Sequence, residues 1–360
     1  MAPVFLELKE RSCFNVKLCV TGQHREMLDQ VLKLFNLKPD YDLKIMRSGQ
    51  SLSEVTSKIL LGLESMLNEW RPDLILVHGD TTTTFSTTLA AFYQQIKVGH
   101  VEAGLRTGDL YSPWPEEANR KLTGALAEIH FCPTHKSKLN LIAERVEQNR
   151  IFITGNTVID SLLRVVSNLE AGSYNDILDD TKMPHLKSNE KLILVTGHRR
   201  ENHGHGFEQI CQALLEISEN NPDARIVYPV HLNPKVQEPV NRILRESERV
   251  HLIQPLDYLP FISLLSKSYL VLTDSGGVQE EAPSLGKPVL VMRNTTERPE
   301  AIDAGTARLV GTDRKKIVSQ VNLLLRDAEE YNAMSQSHNP YGDGRASNAI
   351  ADVLHTLYIK

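Results

Sequence analysis

Short apolar runs alternate with longer amphipathic stretches along the whole chain. The runs are rich in Val, Ile and Leu, and each one ends at polar or glycine residues. Buried parallel strands are apolar on both faces and are joined by helices, so the alternation predicts an α/β fold with doubly wound parallel sheets. Predicted strands lie at about residues 16–21, 74–78, 97–102, 129–133 and 151–154, and then at about 192–196, 225–230, 250–253, 270–273 and 288–292.

The two series of strands predict two Rossmann-like domains. A chain of 360 residues is longer than one ordinary core requires. The first domain is expected over residues 1–155, joined by a C-terminal helix at 344–360, and the second over residues 156–343. The boundary is placed at a helix start, where either Asn156 or Thr157 can act as the cap. A polar, turn-rich stretch at 172–189 is expected to be a surface loop.

The residues that follow one of the predicted strands indicate a binding site. Asp274, Ser275, Gly276 and Gly277 follow an apolar run and lead into a helix-like stretch. Ligands of parallel α/β folds bind at the carboxyl ends of strands, and backbone N–H groups at a helix start favour anions. The segment therefore predicts a phosphate site, the alternative being an ordinary glycine-rich turn.

Three acidic residues occupy similar positions in the first half. Asp80 and Glu102 end predicted strands, and Glu116 follows the turn SPWPE at a helix start. Carboxylates that meet in a cleft can supply one acid and one base. The alternatives are a helix cap for Asp80 and a first-turn dipole residue for Glu116, a role that Glu117 can fill equally well.

Histidine and arginine residues extend the predicted anion site. His198 follows a strand and precedes two arginines, which suits contact with a phosphate or a substrate oxygen, although a solvated basic turn is the alternative. His231 also stands at a strand end. Glu281 can accept hydrogen bonds from ribose hydroxyls or be a solvated helix-face charge. Arg298 can bind phosphate or be a surface arginine in a turn.

The composition of the chain and the motifs that it lacks argue against several classes of function. The formal charge of −5 gives no footprint for nucleic acid or an anionic membrane. Neither a span-length apolar run nor a signal peptide is found, and the four cysteines lack CxxC spacing, so a cytoplasmic location is expected. Dinucleotide, P-loop and hydrolase motifs are missing. His198, His203 and His205 lack the pattern of a metal site, and no metal is expected.

The ordered motifs HGDTTTT, GHVEAGLRTGD, SPWPEEANR, TGNTVID, TGHRREN, PVHLNP, TDSGGVQEEAPSLGKPVLVMR and TTERPEA closely resemble those of the bacterial non-hydrolysing UDP-N-acetylglucosamine 2-epimerases. The resemblance implies a glycosyltransferase-B-like pair of Rossmann-type domains with the substrate between them, usually in a homodimer. It implies an isomerase that interconverts UDP-GlcNAc and UDP-ManNAc without a nicotinamide cofactor or an essential metal, through elimination of UDP and a 2-acetamidoglucal intermediate. Cell-surface polysaccharide is the expected destination.

The resemblance also implies roles for individual residues. The catalytic residues would be Asp80, Glu102, Glu116 and His198, with proton transfer expected of Glu102 and Glu116. The residues that hold UDP would be His231, Ser275, Gly276, Gly277, Glu281 and Arg298. A second UDP-GlcNAc acts as an activator in the bacterial branch, and Gln23, His24 and Arg25 match part of that region.

The start of the chain departs from the family pattern. Residues 1–11 read as a helix, and neither an opening strand nor a GTRPE-like loop precedes them. We therefore expect Met1 to be an internal methionine of a longer chain. Three other functions remain open: a UDP-sugar glycosyltransferase, a hydrolysing epimerase, and a nucleotide-sugar-binding remnant inactivated by N-terminal truncation.

Overall fold

A computed structural model describes residues 1–23, 25–47, 49–174, 187 and 190–359. It divides into two units, Met1–Ser161 with Tyr341–Lys360 (unit 1) and Leu162–Pro340 (unit 2). Most of the predicted loop at 172–189 lies outside the described residues.

The helices and strands of unit 1 alternate, as the apolar pattern predicts. In chain order they are α1 (Ala2–Glu10), β1 (Cys19–Val20), α2 (Arg25–Leu34), β2 (Tyr41–Asp42), α3 (Leu52–Glu69), β3 (Leu74–His78), α4 (Thr82–Tyr93), β4 (Lys97–Val101), α5 (Glu116–Leu126), β5 (Ile129–Cys132), α6 (His135–Ala143) and β6 (Ile151–Ile153). The helix α7 (Thr157–Glu170) runs from unit 1 into unit 2.

Unit 2 repeats the alternation. Its elements are β7 (Lys191–Thr196), α8 (His205–Asn220), β8 (Ala224–Pro229), α9 (Pro234–Leu244), β9 (Val250–Ile253), α10 (Tyr258–Lys267), β10 (Leu270–Thr273), α11 (Gly276–Ser284), β11 (Val289–Val291), α12 (Pro299–Asp303), β12 (Ala307–Leu309), α13 (Arg314–Arg326) and α14 (Ala328–Ser335). The last helix, α15 (Ala346–Tyr358), returns to unit 1.

The sheets confirm the predicted α/β fold. Unit 2 has a six-stranded parallel sheet in the order β12-β11-β10-β7-β8-β9. Its central strand β7 is buried on both faces, with Ile193, Leu194 and Val195 inaccessible to solvent. Burial of each such side chain contributes about 1.5–3 kcal/mol relative to exposure. This core fixes the ends of β7 and β10, where the predicted anion site begins.

The sheet of unit 1 is interrupted. Strands β3, β4, β5 and β6 form one parallel sheet, while β1 pairs only with β2. A cavity of about 840 Å³ lies between β1 and β3. Val4 and Leu8 of α1 and Leu354 of α15 are among its lining residues, and these three side chains belong to one apolar cluster. Strand β3 is therefore an edge strand that faces a cavity.

Most of the predicted strands are confirmed, and their bounds differ by a few residues. The first run, predicted at 16–21, is a strand only at Cys19–Val20, and strands β2 and β12 were missed. None of the described helices is long and apolar enough to cross a membrane.

Candidate functional site

Asp80 lies just beyond strand β3 in unit 1. The helix cap of α4 is Thr81, whose hydroxyl accepts a hydrogen bond from the N–H of Thr84 at 3.3 Å. The helix-cap alternative for Asp80 is therefore wrong. The Asp80 carboxylate instead accepts a hydrogen bond from Arg120 at 2.7 Å, and its backbone carbonyl accepts one from the Asn119 amide at 2.9 Å.

Arg120 joins Asp80 to the buried Glu117. The Glu117 carboxylate accepts one hydrogen bond from Arg120 at 2.9 Å and another from the N–H of Gly108 at 3.1 Å. Glu117 is inaccessible to solvent, so these bonds compensate for the burial of its charge. Arg120 of α5 thus orients Asp80 and links it to Glu117. The sequence did not predict this contact.

Glu102 follows strand β4 with a backbone φ of +63°. This left-handed conformation is uncommon for a residue other than glycine and must be held by its surroundings. The amide of Asn156 donates a hydrogen bond to Glu102 Oε1 at 3.1 Å. On the other side, a Cβ at Gly79 would lie 3.1 Å from Glu102 Oε2. Glycine at position 79, itself at a φ of +70°, therefore leaves room for the carboxylate.

The register of the sheet brings Asp80 and Glu102 to the same edge of unit 1. His78 of β3 pairs with Val101 of β4, so the residues that follow each strand are neighbours. Glu116 begins helix α5 and is half-buried. Among the described residues its carboxylate forms no hydrogen bond or ion pair, unlike that of Glu117.

The predicted activator residues are in a different environment. Gln23 accepts a hydrogen bond from the Thr83 hydroxyl at 2.7 Å. Arg25 donates to Asp29 at 2.9 Å and to Asp42 at 2.5 Å. His24 lies outside the described residues. Arg25 is therefore already engaged by two carboxylates.

Asp274 organises the loop after β7 in unit 2. Because Thr273 of β10 pairs with Thr196 of β7, the residues beyond these two strands lie side by side. The carboxylate of Asp274 accepts hydrogen bonds from the N–H of His198 at 2.9 Å, the N–H of Arg199 at 2.8 Å and the amide of Asn202 at 3.3 Å. A buried charge is thus satisfied by the loop that presents His198.

The ring of His198 stacks on that of His231 with the centroids 5.7 Å apart. His198 Nδ1 also lies 3.4 Å from Asp274 Oδ1. Burial lowers the pKa of His198 from its ordinary value; Asp274 opposes this shift, whereas Arg199 and His231 add to it. His231 Nδ1 accepts a hydrogen bond from the N–H of Asn233 at 3.1 Å, so its Nε2 carries the proton when the ring is neutral.

Ser275 is the N-cap residue of α11, and Gly276 and Gly277 form its first turn. The first N–H groups of an α-helix have no partner within the helix. No side-chain hydrogen bond caps this helix. A Cβ at Gly276 would lie 2.8 Å from Glu297 Oε1, whereas a Cβ at Gly277 would meet nothing within 4 Å. This helix start has the properties of an anion-binding turn.

Glu280 and Glu281 are both buried on α11. Burial, followed by the neighbouring Glu280, raises the pKa of Glu281 to about 7. The hydroxyl of Tyr258 donates to Glu281 Oε1 at 3.3 Å. The alternative of a solvated helix-face charge is therefore wrong for Glu281. Arg298 forms an ion pair with Glu280 and is largely buried, so it is not the surface arginine that was the alternative for this position.

Arg199 and Glu297 were missed as parts of this region. Arg199 donates to Glu297 at 3.1 Å, and Arg293 binds Glu297 as well. The adjacent arginines after Gly197 were the signal for a charged loop, but a partner almost a hundred residues away cannot be inferred from local sequence. Among the described residues, no group of three His, Cys, Asp or Glu side chains could hold a metal ion.

Comparison with known proteins extends this description. The family model for UDP-N-acetylglucosamine 2-epimerase matches residues 6–355. The chain is 61% identical over 354 residues to the UDP-N-acetylglucosamine 2-epimerase of Escherichia coli K12, covering 98% of this chain and 94% of that protein. The glycosyltransferase and the binding-remnant alternatives are not favoured, because these relatives are epimerases.

Solved structures agree with the sequence comparison. The Neisseria meningitidis UDP-GlcNAc 2-epimerase bound to UDP-GlcNAc matches with a TM-score of 0.89 and 51% identity, covering 99% of this chain and 96% of that one. The Methanocaldococcus jannaschii enzyme in complex with UDP-GlcNAc and UDP matches with a TM-score of 0.75 and 31% identity, covering 99% and 95% of the two chains. The expected N-terminal truncation is not supported, because the matches cover nearly the whole of this chain.

Proposed function

This chain belongs to the UDP-N-acetylglucosamine 2-epimerase family, and on that premise we propose how its residues interconvert UDP-GlcNAc and UDP-ManNAc. Members of this family are isomerases. The reaction inverts C2 of the sugar, a centre whose proton must be removed from one face and replaced on the other. Two groups for proton transfer and a site for the departing nucleotide are therefore needed.

The proton transfers are assigned to carboxylates of unit 1. Glu102 and Glu116 are the two candidates for acid and base, and Asp80 supports them. Removal of the C2 proton breaks the C–H bond as UDP departs from C1 with the electron pair of the C1–O bond, which leaves 2-acetamidoglucal. Protonation of C2 on the opposite face and return of UDP to C1 complete the cycle. No redox step occurs, so the atoms balance without a nicotinamide or a metal.

The nucleotide is assigned to unit 2. The start of α11 offers the N–H groups of Gly276 and Gly277 to the phosphates. The N–H of Ser275 already donates to Thr273 Oγ1 at 2.9 Å, so Ser275 can contribute its hydroxyl. His198 and His231 face the same loop region, and an imidazolium can neutralise charge that develops on the departing UDP. Glu281 can accept hydrogen bonds from ribose hydroxyls, and Arg298 can bind phosphate if its ion pair with Glu280 opens. The known UDP-GlcNAc complex of the Neisseria meningitidis relative supports the ligand class.

One observation carries the proposal beyond family membership. Asp274 binds the N–H groups of both His198 and Arg199, so the histidine loop is held next to the start of α11. The proposed phosphate site and a titratable imidazole are thereby joined by hydrogen bonds in one region, as departure and return of UDP require.

Proton NMR in deuterated water with UDP-GlcNAc as the only substrate tests the proposal. We expect the C2 position to acquire deuterium, UDP-ManNAc to accumulate, and no free sugar to appear. Free ManNAc and UDP as the end products would instead show a hydrolysing enzyme. Sugar transfer to an added acceptor without C2 exchange would show a transferase, and the epimerase assignment would then fail.

Further proposals concern the location, the activation and the oligomeric state of the enzyme. We propose a cytoplasmic enzyme that supplies ManNAc for cell-surface polysaccharide, with a second UDP-GlcNAc as activator near Gln23, His24 and Arg25. A homodimer is also proposed. Its support is an exposed apolar face on the packed helices α3 and α4, where Leu61, Phe92 and Tyr93 are 67%, 54% and 69% exposed. A Phe92→Glu substitution should then shift the molecular mass measured by light scattering from dimer to monomer.

A further inference from the structure

Asp274 is buried beside an imidazole whose orientation matters for the proposed reaction. Its side chain has no solvent exposure, whereas that of His198 is 42% exposed. Asp274 Oδ1 lies 3.4 Å from His198 Nδ1, which is an ion-pair distance, longer than the about 2.7–3.2 Å of an ordinary N–H···O hydrogen bond. The in-plane directions of the two ring nitrogens diverge, so Nε2 is free to act on a group other than this carboxylate.

Several hydrogen bonds hold the Asp274 carboxylate in one position. Both of its oxygens accept from the N–H of His198, and Oδ2 also accepts from Arg199 and Asn202. The Asn202 amide is in turn tied to the carbonyl of Met292, just beyond β11, at 3.1 Å. The carboxylate therefore cannot turn away from Nδ1 without breaking bonds to the loop.

This geometry makes the two neutral forms of His198 unequal. With the proton on Nδ1, which is 3.4 Å from Asp274 Oδ1, the positive end of the N–H dipole lies near the carboxylate, which is electrostatically favourable. With the proton on Nε2, the lone pair of Nδ1 would face a buried carboxylate, which is electrostatically unfavourable in a site of low dielectric. The buried carboxylate beside one ring nitrogen thus favours the proton on that nitrogen.

We propose that Asp274 is a positioning residue that keeps the proton of neutral His198 on Nδ1 and so makes Nε2 the nitrogen that acts on UDP. The second half of this statement rests on the proposed function. Nε2 first takes up a proton from solvent, to which the side chain is 42% exposed, and the imidazolium then donates it in a hydrogen bond to the phosphate oxygen of the departing UDP. The proton returns to solvent after UDP has added back to C1. Asp274 stabilises that cation through Nδ1–H without itself contacting the substrate.

Long-range proton–nitrogen NMR on protein labelled with ¹⁵N-histidine tests the first half without substrate. The His198 signals are assigned by their loss in His198→Gln. At a pH where the ring is neutral, we expect protonated Nδ1 and unprotonated Nε2 in the unaltered chain, and a shift toward protonated Nε2 in Asp274→Asn. Protonated Nε2 in the unaltered chain would overturn the proposal even if the variant failed to fold. Protonated Nδ1 in a folded Asp274→Asn variant would overturn it as well.

Turnover tests the second half. We expect Asp274→Asn to lower kcat about 10- to 100-fold, the effect of losing a carboxylate that lies next to the imidazolium, with little change in KM. The control is Asp313→Asn, which removes a carboxylate that caps α13 in the same unit by accepting from the N–H of Lys316 at 2.7 Å. An altered proton position with unchanged kcat would refute the link to catalysis. An unaltered chain with no turnover would instead refute the proposed function and leave the NMR result standing.

Discussion

The carboxylate end of unit 1 (Asp80, Glu102 and Glu116) and the phosphate end of unit 2 (His198, Asp274 and the start of α11) lie at equivalent places in their sheets but are held differently. Asp274 is fixed by three hydrogen-bond donors, and its sheet is continuous over six strands. Glu102 has one amide partner, Glu116 has none among the described residues, and their sheet is interrupted beside β3.

The difference matches the two tasks that we propose. A phosphate is bound best by donors that are already in place, because reorganising them would reduce their electrostatic contribution. Groups that exchange protons with carbon must instead present unoccupied carboxylate oxygens to the substrate. A carboxylate bonded as fully as that of Asp274 has no unoccupied oxygen to present to a substrate.

The largest expected effect is a loss of turnover without a loss of UDP binding. Glu102→Gln keeps the size and backbone of the residue but removes the base, so kcat should fall by about 10² to 10⁴. The affinity for UDP, measured by calorimetry, should stay unchanged because UDP is assigned to unit 2. Glu64→Gln, an exposed position on α3, is the matched control. Full turnover in Glu102→Gln would remove that residue from the assignment.

A second pair of variants compares the two cores. Leu194→Ala in β7 truncates an inaccessible side chain and should cost about 2–5 kcal/mol of unfolding free energy. Leu76→Ala in β3 enlarges a cavity that already exists, and should cost about 2 kcal/mol or less because less packing is lost. Hydrogen exchange followed by mass spectrometry reports the two strands separately. Equal costs would contradict the difference drawn between the sheets.

A third prediction concerns pH. The pKa of Glu281 is raised from 4.5 to about 7, so the folded state holds a proton that the unfolded state releases between these values. Stability contributed by this group is complete below pH 4.5 and is lost as pH rises to about 7, by about 3 kcal/mol. Glu281→Gln should therefore gain stability relative to the unaltered chain between pH 5 and pH 8 in urea titrations without nucleotide. A pH-independent difference would show that Glu281 ionises normally.

The smallest effect tests Asn156, the one side-chain hydrogen-bond partner of Glu102 among the described residues. Asn156 has two functions, since its Oδ1 accepts from the N–H of Val158 at 3.2 Å at the start of α7 and its amide donates to Glu102. Asn156→Ser should retain the cap but lose the donor. We expect kcat to fall about 5- to 10-fold, as for one hydrogen bond of about 1 kcal/mol, with an unchanged melting temperature. Loss of stability without loss of kcat would make Asn156 a structural residue only.

The sequence predicts the fold well where burial is continuous. Runs such as Lys191–Thr196 and Leu270–Thr273 are apolar throughout because both sheet faces are covered. The strand Tyr41–Asp42 was missed because two residues with exposed neighbours carry no such pattern.

The sequence predicted only those features of the candidate site that depend on residues close together in the chain. Strand ends identified Asp80, Glu102 and Asp274, since the carboxyl ends of parallel strands share one edge. The partners of these residues could not be predicted: Arg120 is 40 positions from Asp80 and Asn156 is 54 positions from Glu102. The cap of α4 was also left open, because Asp80 and Thr81 are both good capping residues and only the backbone geometry separates them.

The cavity beside β3 has a consequence for self-association. An apolar edge strand exposes unpaired N–H and C=O groups that can pair with another chain. Here α1 and α15 cover this edge, packing through Val4 and Leu354 and joined by the Arg11–Asp352 ion pair at 2.6 Å. By covering β3, helices α1 and α15 therefore protect unit 1 against aggregation through strand pairing. Heating that detaches them should leave unit 1 prone to strand pairing between molecules while the sheet of unit 2 is still intact.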